Sequence, residues 1–187
     1  NTLSLLDVKT GRVLSRVDLP GTGWWAADVE PSDRWALVNR YISASQSEIW
    51  RVDLSSGQRE RILPREGEPP AVHAAIALLK DSQRILLLTD RFGEFIQAHR
   101  YEPATHRFDP VTAAVPWDVA GYAASTDLRR AVFVFNEGGV GVARLYDLDT
   151  LAPLPLAVPA NTNVTGIRLS DDGRRLAYTS VSPSAPS

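Results

Sequence analysis

The chain has 187 residues, 44% of them apolar, with 20 Lys and Arg against 22 Asp and Glu and a formal net charge of -2. That composition supports a buried core and argues against a disordered tail, and the even charge balance excludes the basic face that a nucleic-acid partner requires. Cysteine is absent, which rules out a disulfide framework or a thiolate metal site; no apolar run approaches the roughly 20 residues that span a bilayer, so no membrane partner is expected and the chain reads as soluble.

Methionine is absent too, and the chain opens on Asn1-Thr2-Leu3, which reads as a processed chain or a piece excised from a larger one. In residues 1–19 an alternating strand runs into the polar turn Asp7-Val8-Lys9-Thr10-Gly11, and a second strand follows over Arg12 to Leu19. Residues 20–66 carry four strands. The first is rich in small residues (Trp25-Ala26-Ala27), the second follows the turn Ser32-Asp33-Arg34 (Trp35 to Val38), the third ends at Arg51-Val52-Asp53-Leu54-Ser55-Ser56-Gly57, and the fourth runs from Gln58 to Leu63.

The same order returns in residues 67–114, with Ala74 to Ala77, the turn Asp81 to Arg84, Ile85 to Leu88 and the landmark Arg100 to His106. It returns again in residues 115–160, with Gly121 to Ala124, Asp127 to Arg130, Ala131 to Phe135, Leu145 to Leu151 and Ala152 to Val158. Residues 161–187 supply only a first and a second strand around Asp172-Gly173-Arg174-Arg175, then a Ser/Pro-rich stretch from Val181 to Ser187 that reads as a loop. Helix propensity alone favours a helix over Ala71 to Lys80, but its place in the repeat predicts a strand.

A period of about 45 to 49 residues holding four short strands is the sequence form of a propeller blade, because one such sheet cannot hide its faces until neighbours stack on it. The expected fold is therefore all-β: a single β-propeller over 1–187, made of four-stranded antiparallel blades, about four blade equivalents. The pieces are 1–19, 20–66, 67–114, 115–160 and 161–187. Residues 1–19 and 163–180 are complementary half-blades, so the array is either a partial propeller or a small ring closed by their pairing. In the open form both are edges that invite self-association.

Several stretches carry a resemblance: Gly23-Trp24-Trp25-Ala26-Ala27-Asp28 with Val38-Asn39-Arg40-Tyr41-Ile42-Ser43, Ser47-Glu48-Ile49-Trp50, Val115-Pro116-Trp117-Asp118-Val119-Ala120-Gly121-Tyr122, and Leu169 to Ser180 around Asp-Gly-Arg-Arg. Here the chain resembles the N-terminal propeller of prolyl oligopeptidase-family serine peptidases, in the bacterial dipeptidyl aminopeptidase and acylaminoacyl peptidase-like branch. The Asp-Gly-Arg-Arg turn alone is equally similar to TolB-type propellers. Family blades carry Ser-Pro-Asp-Gly at the first turn, and three of the four turns here depart from it. The resemblance implies a propeller that packs on a C-terminal α/β-hydrolase domain of the same parent chain, admits short peptide substrates and itself performs no catalysis. The alternative it leaves is a free-standing TolB-like propeller that binds a protein or ligand.

Catalytic residues are not expected within the chain, because no Gly-x-Ser-x-Gly elbow occurs in it. No cofactor or metal site is expected either: His73, His99 and His106 match no ligand spacing, and His73 alone, on an inner strand, is a candidate to face a central channel. Asp171-Asp172 reads as a surface turn, Gly138-Gly139-Val140-Gly141 as a strand connection without the helix of a phosphate cradle, and Asn163-Val164-Thr165 as a glycosylation sequon with meaning only in a eukaryotic secretory setting. Substrate contacts are expected in the connections between second and third strands, Arg40 to Glu48, Asp90 to Glu94 and Asn136 to Gly139. There Glu48, Glu94 or Glu137 would hold a peptide amino end, Arg40 or Arg91 a carboxyl end, and Tyr41 would lie beside them.

Overall fold

The computed structural model describes residues 1–159 and 162–181, so the expected loop beyond Val181 lies outside the described residues. The described chain is all strand, in the order β1 (Thr2–Leu6), β2 (Val13–Asp18), β3 (Trp24–Val29), β4 (Trp35–Ser43), β5 (Gln46–Asp53), β6 (Arg59–Leu63), β7 (His73–Leu78), β8 (Ile85–Thr89), β9 (Gln97–Glu102), β10 (Arg107–Pro110), β11 (Val119–Ala124), β12 (Arg130–Glu137), β13 (Val140–Asp147), β14 (Pro153–Leu154), β15 (Asn163–Leu169) and β16 (Leu176–Val181). β3–β6, β7–β10 and β11–β14 are four-stranded sheets with neighbours in sequence order, while β1–β2 and β15–β16 are separate two-stranded sheets. The Ala-rich segment is strand β7, as its place in the repeat requires.

The turns explain how the repeat persists while its letters drift. Between the first and second strand of each blade one residue is left-handed: Asp33 (φ 58°), Ser82 (φ 52°), Leu128 (φ 51°) and Gly173 (φ 66°). Only the last is the residue type for which that conformation is free of Cβ strain. Asp172 behaves as turn chemistry requires, its carboxylate accepting from the Ser170 hydroxyl at 2.7 Å and the Arg174 N–H at 3.0 Å. The third-to-fourth turns repeat similarly. Asp7, Asp53 and Asp147 each accept two backbone N–H groups, from the residues two and three positions on. Those bonds hold all three carboxyls below their ordinary range.

Contacts divide the chain into two compact units, residues 1–93 with 100–108, and residues 94–99 with 109–187. In the first unit β4 is buried from Trp35 through Asn39 because both of its faces are covered. Trp35 and Leu37 join a core with Ile49, Leu63, Ala75, Leu78, Ile85, Leu87 and Tyr101. Ala36 and Val38, pointing the other way, join Val17, Leu19, Val52 and Leu54. Alternation of side chains along a strand thus feeds two separate cores from one continuous apolar run.

Side chains also close the free edge of β7. The Asn39 amide donates to the Ala75 carbonyl at 3.0 Å and accepts the Ala75 N–H at 2.8 Å. The Ser47 hydroxyl donates to the His73 carbonyl at 2.8 Å and accepts the His73 N–H at 2.9 Å, and Asp28 accepts the Leu78 N–H at 2.9 Å. A bulge between Ala75 and Ala77 shifts the register, so that Leu78 rather than Ala77 turns its N–H outward.

In the second unit Val132, Val134, Val164 and Ile167 form the core. β12 and β13 are joined by Gly138-Gly139, with Glu137 paired to Val140 and both glycines at positive φ (62° and 92°), the two-residue primed turn that suits strand twist. The glycine-rich stretch is accordingly the expected strand connection. Gly141, its last member, serves packing instead of turning. Its N–H donates to the Asn163 side chain at 2.7 Å, and a Cβ at this position would overlap the Val164 carbonyl. The asparagine of the sequon is therefore tied into the packing of β13 on β15.

Two substitutions test this packing. Asn39→Ala strands both polar groups of Ala75 and lowers unfolding stability by about 1–3 kcal/mol, read as a reduced urea midpoint at constant slope. Gly141→Ala forces β13 from β15 and costs about 1–3 kcal/mol by the same measurement; an unchanged midpoint contradicts the close approach.

Candidate functional site

Arg40 and Glu48, expected in a connecting loop, are facing partners on β4 and β5, and the connection itself shrinks to Ala44-Ser45. The strands run further than their apolar residues because polar side chains on them are held by neighbours. Glu48 is buried with both oxygens engaged: Oε2 accepts from Trp50 Nε1 at 2.9 Å and pairs with Arg40 at 3.5 Å, and Oε1 pairs with Arg61 at 3.3 Å. Trp24 packs edge-on against Trp50 at 5.7 Å, and the Arg40 guanidinium lies 5.1 Å from the Trp24 ring centroid. The result is a fixed arginine, oriented by a carboxylate and an aromatic face. Tyr41 follows it with 53% exposure, and Trp25 is 44% exposed.

Arg91 lies in the turn after β8 and is held by a second cluster. Its Nη2 pairs with Glu68 Oε1 at 2.9 Å, and the guanidinium lies 5.6 Å from the Phe108 centroid and 5.9 Å from that of Phe92. The same Glu68 oxygen meets His106 Nε2 at 2.7 Å, and His106 Nδ1 meets the Tyr101 hydroxyl at 3.0 Å. Sequence reasoning missed Glu68 altogether, and it assigned His106 no role beyond its turn. The two come together from a loop and a hairpin 38 residues apart, a proximity that no local spacing encodes. Glu94 is exposed, and Glu137 ends β12 with an ion pair to Arg144, which also lies 5.6 Å from the Phe135 centroid.

His73 stands on the inner strand β7 and is fully buried, where β7 packs against the preceding blade. Its Nδ1 lies 3.0 Å from the Thr89 hydroxyl, which also accepts the Arg91 backbone N–H at 3.1 Å. Burial, reinforced by the Arg91 charge, drives its pKa from 6.5 down to about 4. His73 Nε2, Arg91 Nη1 and Arg40 Nε are buried nitrogens without a hydrogen-bond partner in the structure. Among the described residues no group of three His, Asp or Glu side chains is placed to hold a metal.

Sheets of this order and turn geometry are propeller blades, and solved structures agree. The acylaminoacyl peptidase of Pyrococcus horikoshii matches with a TM-score of 0.69 at 15% identity, over 99% of this chain and 28% of that one. TolB from Acinetobacter baumannii matches at 0.65 and 17% identity, over 98% and 44%. Puromycin hydrolase matches at 0.64 and 19% identity, over 83% and 25%. The likeness is one of fold, to the propeller domains of oligopeptidases and TolB, and the chain spans between a quarter and under half of these three structures. No family model matches the chain, and no curated protein does.

The depressed His73 pKa has a definite sign. The folded state favours the neutral ring, so this stability is complete above about 6.5 and drains away as pH falls toward 4, on the order of 3 kcal/mol in total. His99, lowered by its own burial, acts in the same direction. Urea midpoints measured from pH 7 to 4 should therefore fall, and His73→Gln should flatten that slope; an identical slope would exclude His73 as a source.

Proposed function

We propose that this chain is a non-catalytic propeller section which packs on an α/β-hydrolase domain of its parent protein and restricts entry to short peptides. The observation that carries the reading is the match to the acylaminoacyl peptidase over 99% of this chain, joined to a sequence without a Gly-x-Ser-x-Gly elbow. Binding on propeller connections and chemistry on a separate domain is a division that suits a scaffold with function grafted onto its loops. In the first unit Arg40, Arg91 and Tyr41 are the proposed peptide contacts, with the buried Glu48 orienting Arg40; Glu94 and Glu137 are proposed contacts of the second unit, taken by itself. Arg40 and Arg91 are the best oriented, since each is held by a glutamate and lies over an aromatic ring.

The second reading, a free-standing propeller that binds a protein or ligand, is favoured by the TolB match over 98% of the chain. The coding sequence around this segment separates the two, because only the first requires an accompanying hydrolase with a serine elbow. The purified chain should leave a fluorophosphonate probe unreacted and chromogenic acyl-peptides uncleaved, while its parent should react with the probe and cleave the peptides. In the parent, deleting the blades should raise the cleavage of long peptides relative to tripeptides. A labelled serine within this chain, or unchanged length selectivity, would overturn the gating role.

A further inference from the structure

A cavity of about 260 Å³ opens within the first unit, where the ends of two neighbouring sheets meet. It is lined by Trp35 at the start of β4 and Ile85 at the start of β8, whereas Arg40 lies further along β4 and Arg91 follows the end of β8. The cavity is therefore separate from the proposed peptide contacts. Trp35, Leu78 and Ile85 bring apolar surface to it from the buried core, and Ile62, packed against that core, adds more. Two turns that also line it are held in place: the Pro103 carbonyl accepts from the Arg65 guanidinium, and the Gln83 N–H donates to Asp81 at 3.0 Å. The lining is thus largely pre-formed, as ligand sites are.

Two opposite charges complete it. Arg51 on β5 and Glu60 on β6 are register partners, and side chains so placed ordinarily join each other. Here the Arg51 guanidinium lies instead 4.7 Å from the Trp35 ring centroid, and among the described residues neither Arg51 nor Glu60 makes an ion pair. The indole covers one face of the guanidinium and leaves its N–H edges available for a carboxylate. Glu60 is an acceptor for an ammonium group on the facing strand.

An uncharged apolar molecule would use the lining and neither charge; a simple anion would use Arg51 alone. A ligand that satisfies all three carries an apolar side chain, a carboxylate and an ammonium group on one small frame. The volume agrees, since it falls below the roughly 300–1,000 Å³ of sites for drug-sized ligands and favours a single residue over an extended peptide. We propose that this cavity binds a free apolar amino acid, its carboxylate on Arg51, its ammonium group on Glu60 and its side chain against Trp35. The site is independent of the gating role, and it stands or falls whether or not a hydrolase accompanies the chain.

The test is a titration of the full, isotopically labelled chain that follows the Trp35 indole NMR signal, with L-leucine, L-leucinamide, N-acetyl-L-leucine and glycine as probes. L-leucine should shift the signal saturably, and each of the other three should bind roughly tenfold or more weakly. Arg51→Gln should erase the preference for L-leucine over its amide, and Glu60→Gln the preference over the N-acetyl compound. Both residues are exposed, so the thermal midpoints of these variants should stay near that of the unaltered chain. No shift with L-leucine up to about 10 mM overturns the site. Equal affinity for the amide or the N-acetyl compound overturns the assignment of the two charges, and equal affinity for glycine overturns that of the apolar lining. A variant that keeps its charge preference excludes the substituted residue as the contact.

Discussion

The constraint on which the first unit depends is the open edge of β7. A blade's innermost strand pairs on one side only, and its other row of N–H and C=O groups must be satisfied where water is scarce. Here Asn39, Ser47 and Asp28 act as a discontinuous strand, each presenting side-chain atoms where a backbone ladder would stand. Because these three residues belong to β3, β4 and β5, the same contacts fix how the second sheet meets the third. Apolar packing supplies the area; the polar contacts select one alignment among the many that area alone would permit.

The candidate site inherits that alignment. His73 is held by Ser47 through its backbone and by Thr89 through its ring, and Thr89 in turn holds the backbone of Arg91. Glu48, next to Ser47, fixes Arg40. Both arginines are thus positioned by residues one step away from those that join the sheets, and each leans on an aromatic ring. A scaffold contact and a proposed binding contact are neighbours on the same short strand, which limits how far one can change without the other.

Most of the fold was legible from the sequence because it is written as period and alternation. The apolar runs at Trp35 and Ala131, the Asp-anchored turns and the small-residue first strands all appear at their expected places, including β7, where propensity alone argued for helix. The site was less legible. Glu68 anchors Arg91, and Arg61 shares Glu48 with Arg40, yet nothing in their local sequence distinguishes Glu68 or Arg61 from surface charges, since their partners lie 23 and 13 residues away. Asn39 did leave a trace: it continues the buried run from Trp35 without a break, and a polar residue in such a run announces a partner across a sheet interface. The expected loop from Arg40 to Glu48 misled for a related reason, because polar residues read as solvent-facing when their partners are distant in sequence.

The left-handed turn residues keep one backbone geometry across different letters, in a fold that matches solved structures over nearly the whole chain. Three of four first turns hold Asp33, Ser82 or Leu128 where glycine would be free of strain, and they keep the backbone angle, accepting a Cβ strain of about 1 kcal/mol apiece. What the array repeats is a rhythm of dihedral signs, kept by the geometry of the hairpin while the residues at the turn vary. Related blades are then best recognised by where the chain turns left.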